Sequence, residues 1–197
     1  MRRGVILVGA AMASALPIAS CGEGGERAAP TRRLPAPLRE ALADCSRQST
    51  GTFGGGFHSL HDIVVGPLAF VGAADAAQAS VGEITRLGWW KSPALLQPGH
   101  AATVQLASSA RERAGLLGYA REASDLSVRA AYSAVTFVAC DRRRSDSNAG
   151  GRRVTFWAGG FVARSIPACV PLDVRVDHER APRRIVISLA AGRCATR

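Results

Sequence analysis

The chain has 197 residues, 47% of them hydrophobic, and a formal charge of +10. That length suits one domain with short appendages and buries a core unaided, which excludes a fold that exists only through staples. The charge is uneven: residues 22–140 carry 11 basic and 10 acidic side chains, whereas residues 141–197 carry 12 and 5, so the basic character belongs to the last third.

The first twenty residues read as an address. Arg2 and Arg3 form a positive start, and Gly4 to Ser20 run without a charge. This run is shorter than the roughly 20 apolar residues of a spanning helix, and Pro17 interrupts its end, so residues 1–20 are predicted to be a signal peptide. It closes on Ile18-Ala19-Ser20-Cys21. These four residues resemble the lipobox of bacterial lipoproteins. The resemblance implies that Cys21 carries a diacylglyceryl group and becomes the new N-terminus, making the membrane a partner through a lipid anchor. Plain secretion is the alternative. Two acyl chains, at about 0.8 kcal/mol per buried CH₂, make a stable anchor.

Residues 22–37, GEGGERAAPTRRLPAP, are rich in Gly, Pro and charge and predict a flexible tether after Cys21. A single exported domain then covers residues 38–197. Leu38, Ala41, Leu42 and Cys45 fall at helical spacing and predict a short N-terminal helix. The Gly54-Gly55-Gly56 run predicts a loop.

From Ile63 onward the apolar runs are short and β-rich. Ile63 to Ala73 predicts a strand broken at Gly66-Pro67, and Ala102, Val104 and Leu106 alternate with polar residues after the Pro98-Gly99 turn. Tyr132 to Cys140 and Val154 to Arg164 predict further strands, the latter with a bulge or hairpin at Gly159-Gly160. The clearest alternation is Val170, Leu172, Val174 and Val176, repeated by Ile185, Ile187 and Leu189. The expected fold class is all-β, a disulfide-stabilised β-sandwich with the immunoglobulin type as one option. Asp75 to Thr85 and Ala107 to Ala114 could be helical, which keeps an α+β fold as the alternative.

With Cys21 set apart for lipid, Cys45, Cys140, Cys169 and Cys194 form an even set in a chain with an export signal, which favours two disulfides. A hairpin of 170–177 with 185–191 in a register whose paired numbers sum to 363 sets Cys169 opposite Cys194. Cys45 and Cys140 then form the second bond. A tight hairpin at Gly159-Gly160 would instead join Cys140 to Cys169. No C-x₂-C spacing supports a zinc site, so no metal and no other cofactor is expected.

No G-x-S-x-G, P-loop, H-E-x-x-H or C-x-x-C motif occurs, and no catalytic residue is assigned. His58, His61 and Asp62 are the best polar cluster, and would be the centre of an envelope enzyme acting on wall polymer or glycan. H-x-x-H on an extended segment points its rings to opposite faces, which argues against a metal there. Trp89 and Trp90, beside the sole lysine, are candidate sugar-stacking or membrane-interface residues. Arg142, Arg143 and Arg144, with Arg152 and Arg153, form a basic loop between strands, suited to wall phosphates or lipid headgroups.

The tail, WAGGFVAR through ACVPLDVRVD to RRIVISLAAGRC, resembles that of uncharacterised exported proteins of actinobacteria. The resemblance implies a cell-envelope placement and carries no activity. The sequence therefore predicts a lipid-anchored, extracytoplasmic, non-enzymatic binding or structural domain, whose partner is anionic cell-wall polymer or another envelope protein. Nucleic acid would require the same charge in the wrong compartment.

Overall fold

The computed structural model describes residues 39–54, 57, 59–120 and 124–195. The expected signal peptide, the Cys21 lipid site, the tether and His58 lie outside the described residues. The strands in chain order are β1 (Glu40–Ala43), β2 (Thr52–Phe53), β3 (Ile63–Val65), β4 (Leu68–Phe70), β5 (Trp90–Lys91), β6 (Ala94–Leu96) and β7 (Ala101–Leu106). They continue as β8 (Ala114–Leu117), β9 (Ala134–Val138), β10 (Ser147–Ala149), β11 (Arg152–Trp157), β12 (Gly160–Ala163), β13 (Ala168–Val176) and β14 (Arg183–Leu189). Helix α1 (Val81–Leu87) and two single 3₁₀ turns, Cys45–Arg47 and Asp75–Ala77, complete the described elements.

The fold is all-β. One sheet has the order β1-β9-β7-β13-β14, a second β2-β10-β11-β6-β4-β3, and a small third β5-β12-β8. Two pairs, β1 with β9 and β2 with β10, are parallel, so segments far apart in sequence are brought side by side. The alternation predicted for β7 and β13 is observed: Val104 and Leu106, and Val170, Leu172, Val174 and Val176, are buried, while Arg175 between them is exposed. These residues share one core with Leu68, Phe70, Leu96 and Trp157 of the second sheet. Aromatic rings cross it, Phe137 meeting Trp157 at 5.3 Å and Tyr119 at 5.3 Å between centroids. Both polar tips find carbonyls, the Tyr119 hydroxyl donating to Ser92 and the Trp157 indole to Asp44. Burial raises the Tyr119 phenol well above its ordinary pKa.

The other face of the second sheet is covered too. Ala69, Leu95, Val154 and Phe156 form a separate cluster with Phe57, against which Phe53 packs. This explains why β4 and β6 are buried at every position and read as continuous apolar runs.

Several expectations are corrected. The predicted N-terminal helix is β1, followed by the 3₁₀ turn at Cys45. Arg39 donates its N–H to the Ser133 hydroxyl at 2.6 Å, and its carbonyl accepts from the N–H groups of Ser133 and Ala134. That seeds a parallel ladder from Glu40 opposite Ala134 to Ala43 opposite Phe137. Leu42, part of the expected helical stripe, is 54% exposed, while its neighbour Ala43 is fully buried. Ala107 to Arg113 is a series of turns and not a helix, whereas Asp75 to Thr85 does contain a 3₁₀ turn and the start of α1. At Gly159-Gly160 there is neither bulge nor hairpin: β11 belongs to the second sheet and β12 to the third. A Cβ on Gly160 would lie 2.0 Å from the Trp90 carbonyl oxygen, so only glycine permits this close passage.

The β13–β14 register also differs. Ala168 faces Leu189 and Val174 faces Arg183, so paired numbers sum to 357 instead of 363, a displacement of six. Asp173 thereby lies opposite Arg184, which grips it with two hydrogen bonds of 2.6 and 3.1 Å. Because six is even, each side chain keeps its expected face. Cys169 faces Ser188, and Cys194 reaches it after positive-φ turns at Ala190 and Gly192. Both predicted disulfides are present: Cys45–Cys140 with Cα atoms 4.9 Å apart and Cys169–Cys194 with 5.9 Å.

Candidate functional site

The basic loop expected between two strands contains an extra hairpin. β10 pairs antiparallel with β11 across Gly150-Gly151, both at positive φ, and the Asn148 side-chain oxygen accepts the Gly151 N–H at 2.8 Å. A two-residue Gly-Gly turn suits that geometry. The hairpin places Arg152 and Arg153 at the mouth of β11, facing a cleft of about 700 Å³ lined also by Arg142, Asp141, Gln97 and Gly99.

Each wall is held from the backbone upward. Asp141 folds the turn that presents Arg142: its Oδ1 accepts the N–H groups of Arg143 and Arg144 at 2.9 and 3.0 Å, and its Oδ2 accepts Arg144 Nε at 2.9 Å. The Arg144 N–H, and then its guanidinium, hold the Asp141 carboxyl below its ordinary pKa. The Arg144 carbonyl accepts from the Gln48 side chain at 2.9 Å, tying this turn to the segment after Cys45. Among the other lining residues, the Gln97 N–H donates to the Pro67 carbonyl at 3.1 Å; nearby, outside the lining, His100 Nδ1 pairs with Asp177 at 2.7 Å.

The arginines divide by role. Arg144 is engaged with Asp141, and Arg153 donates to the Ser145 carbonyl at 3.0 Å. Arg143 is exposed and does not line the cleft. The guanidinium groups of Arg142 and Arg152 make no hydrogen bond or ion pair among the described residues, and both are exposed. Two unpaired forks lining one cleft can each take a phosphate or carboxylate bidentately. The signal for Arg152 lay in its position after Gly-Gly, which defines the start of a strand.

The other candidates lie elsewhere. Trp90 donates its indole N–H to the Gly72 carbonyl at 3.0 Å and packs on the main core, and Trp89 packs on Leu117, Ala131 and Val162. Both are half-buried. His61 pairs with Asp75 at 2.7 Å, while Asp62 accepts the Gly72 N–H at 2.8 Å, so the two turn to different partners. The hydrogen bond that His61 donates to the Asp75 carboxylate, and then the charge of that carboxylate, raise the His61 pKa. Among the described residues no group of three His, Cys, Asp or Glu is placed to hold a metal ion.

Comparison of the chain with family models, with curated proteins and with solved structures finds no match. The two disulfides fit an oxidising, extracytoplasmic environment. Among the described residues no helix is long and apolar enough to cross a membrane.

Proposed function

We propose that this chain is a lipid-anchored domain of the cell envelope that binds an anionic wall polymer through the arginine cleft. The observation that carries the binding is the pair of unpaired guanidinium groups, Arg142 and Arg152, lining one cleft of about 700 Å³. The anchor is supported by the charged start, the apolar run and Ile18-Ala19-Ser20-Cys21. The disulfides agree with the compartment.

An open cleft lined by Arg142, Arg152 and Arg153 suits negative charge better than a compact apolar ligand. The test is titration with poly(glycerol phosphate) at low and high salt. A charge-assisted hydrogen bond contributes about 1.5–3 kcal/mol, so Arg142→Ala with Arg152→Ala should weaken binding by at least about tenfold, and Arg143→Ala should have little effect. Affinity should fall with salt, since both groups are exposed. Equal binding by the double variant would refute the cleft. For the anchor, intact mass of the membrane-extracted protein should show a chain beginning at an acylated Cys21, with four hydrogens lost to two disulfides.

A further inference from the structure

A second cavity, of about 390 Å³, is lined by Gly88, Leu126, Val128, Val162, Arg129 and Arg164 among others. Part of its lining is apolar: Val128 and Val162 belong with Leu117, Ala131 and Trp89 to a small cluster separate from the main core. Beside it Leu126 and Leu87 are 39% and 43% exposed. Isolated exposed leucines need no explanation, but here they flank an apolar cavity.

The rim is cationic. Arg129 and Arg164 are exposed, and their guanidinium groups make no hydrogen bond or ion pair among the described residues. Arg86 lies in the last turn of α1, just before Gly88. The acid on the same segment, Asp125, is occupied, its two oxygens accepting the N–H and O–H of Ser127 at 2.9 Å each. Glu83 lies in the first turn of α1, away from the cavity end of that helix.

Arg39 lies against the same segment. Arg39, the first described residue, donates from its guanidinium to the Ala130 carbonyl at 3.3 Å and from its N–H to the Ser133 hydroxyl. Apolar lining, unpaired arginines and Arg39, which follows the candidate lipid site Cys21 by 18 residues, thus meet along the 126–133 segment. These are the features of a surface that lies on anionic lipid.

We propose that this cavity and its rim are the face that rests on an anionic bilayer, with Leu87 and Leu126 reaching below the headgroups and Arg129 and Arg164 pairing with lipid phosphates. The inference rests on the anchor reading for its economy of affinity. Residues 22–38 span at most about 60 Å when fully extended, so a domain anchored at Cys21 never leaves the surface. Weak contacts then suffice to orient it.

The full-length protein, extracted from membrane, is reconstituted into vesicles of phosphatidylcholine alone or mixed with phosphatidylglycerol, and amide exchange is followed. Residues 124–131 should exchange at least about 5-fold more slowly on the anionic vesicles. Arg129→Glu with Arg164→Glu should remove that protection while both disulfides persist, and the milder Arg129→Gln with Arg164→Gln should reduce it. Equal exchange on the two bilayers, or protection untouched by both variants, would overturn the proposal. The same protection from soluble glycerol 3-phosphate would overturn the bilayer in favour of a small anion. An intact mass without acyl groups would overturn the anchor reading alone, and failure of that chain to float with added anionic vesicles would overturn this one.

Discussion

Removing the Cys45–Cys140 bond tests how this domain is held together, because the two disulfides close loops of very different length. Their sequence separations are 95 and 25, and the loops do not overlap. In the chain-entropy picture, closing the longer loop contributes about 4.7 kcal/mol at 25 °C and closing the shorter about 3.5 kcal/mol. Cys45→Ala with Cys140→Ala should therefore cost about 1 kcal/mol more than Cys169→Ala with Cys194→Ala. For a domain of this size those losses lower Tm by about 9–19 °C and 7–14 °C. Urea unfolding of both double variants and of the quadruple variant reads them, and the losses should add. The longer-loop variant has a local signature as well. β1 is an edge strand of four residues, and the turn that follows it is joined by this bond to Cys140, two residues beyond the end of β9. Amides of Glu40–Ala43 should exchange faster in that variant and not in the other. If the shorter loop costs more, or β1 stays protected, the reasoning from loop length and edge position fails.

Further outcomes follow from single sites. Gly160→Ala drives a Cβ to 2.0 Å from the Trp90 carbonyl oxygen, and since backbone must move, thermal unfolding should register a loss of about 3 kcal/mol or more. His61, whose pKa is raised by Asp75, should titrate above the ordinary imidazole value of 6.5, and Asp75→Asn should return it toward that value in an NMR titration. The stabilisation from this pair is fully present below 6.5 and is lost as pH rises through the folded-state pKa. Asp141 runs the opposite way: its lowered pKa gives stability that is present above 3.8 and lost as pH falls through the folded value. Asp141→Asn should accordingly speed amide exchange at Arg143 and Arg144, and an unchanged rate would show that the carboxylate does not hold the turn.

Where the sequence was legible, one face was buried and the other wet. Val170 to Val176 alternates because β13 lies between β7 and β14 with one face on the core, and a period of two needs no knowledge of partners. The register was not legible in the same way. Both the observed pairing and the one displaced by six bury the same residues, and the choice between them rests partly on the Asp173–Arg184 grip and the turn after Val176. Residues 40–43 show the limit from another side. Their apolar spacing fits a helix as well as a strand, and the parallel ladder that decides between them comes from β9, about ninety residues away. The arginine cleft was half legible. Composition singled out Arg142 to Arg144 and Arg152 to Arg153, yet which guanidinium groups stay unpaired depends on Asp141 and the Ser145 carbonyl.

The sequence by itself determined the all-β class, because period-two patterning is a local property. It pointed to two disulfides as well, because the four cysteines other than Cys21 make an even set, while the choice of pairing needed the strand neighbours. What only the tertiary structure decided is which exposed arginines line a cleft, and that Arg39 lies against Ala130 and Ser133. Those are relations between segments remote in sequence, set by sheet pairing and by the competition of each side chain for nearby carbonyls and carboxylates, and no local pattern encodes them.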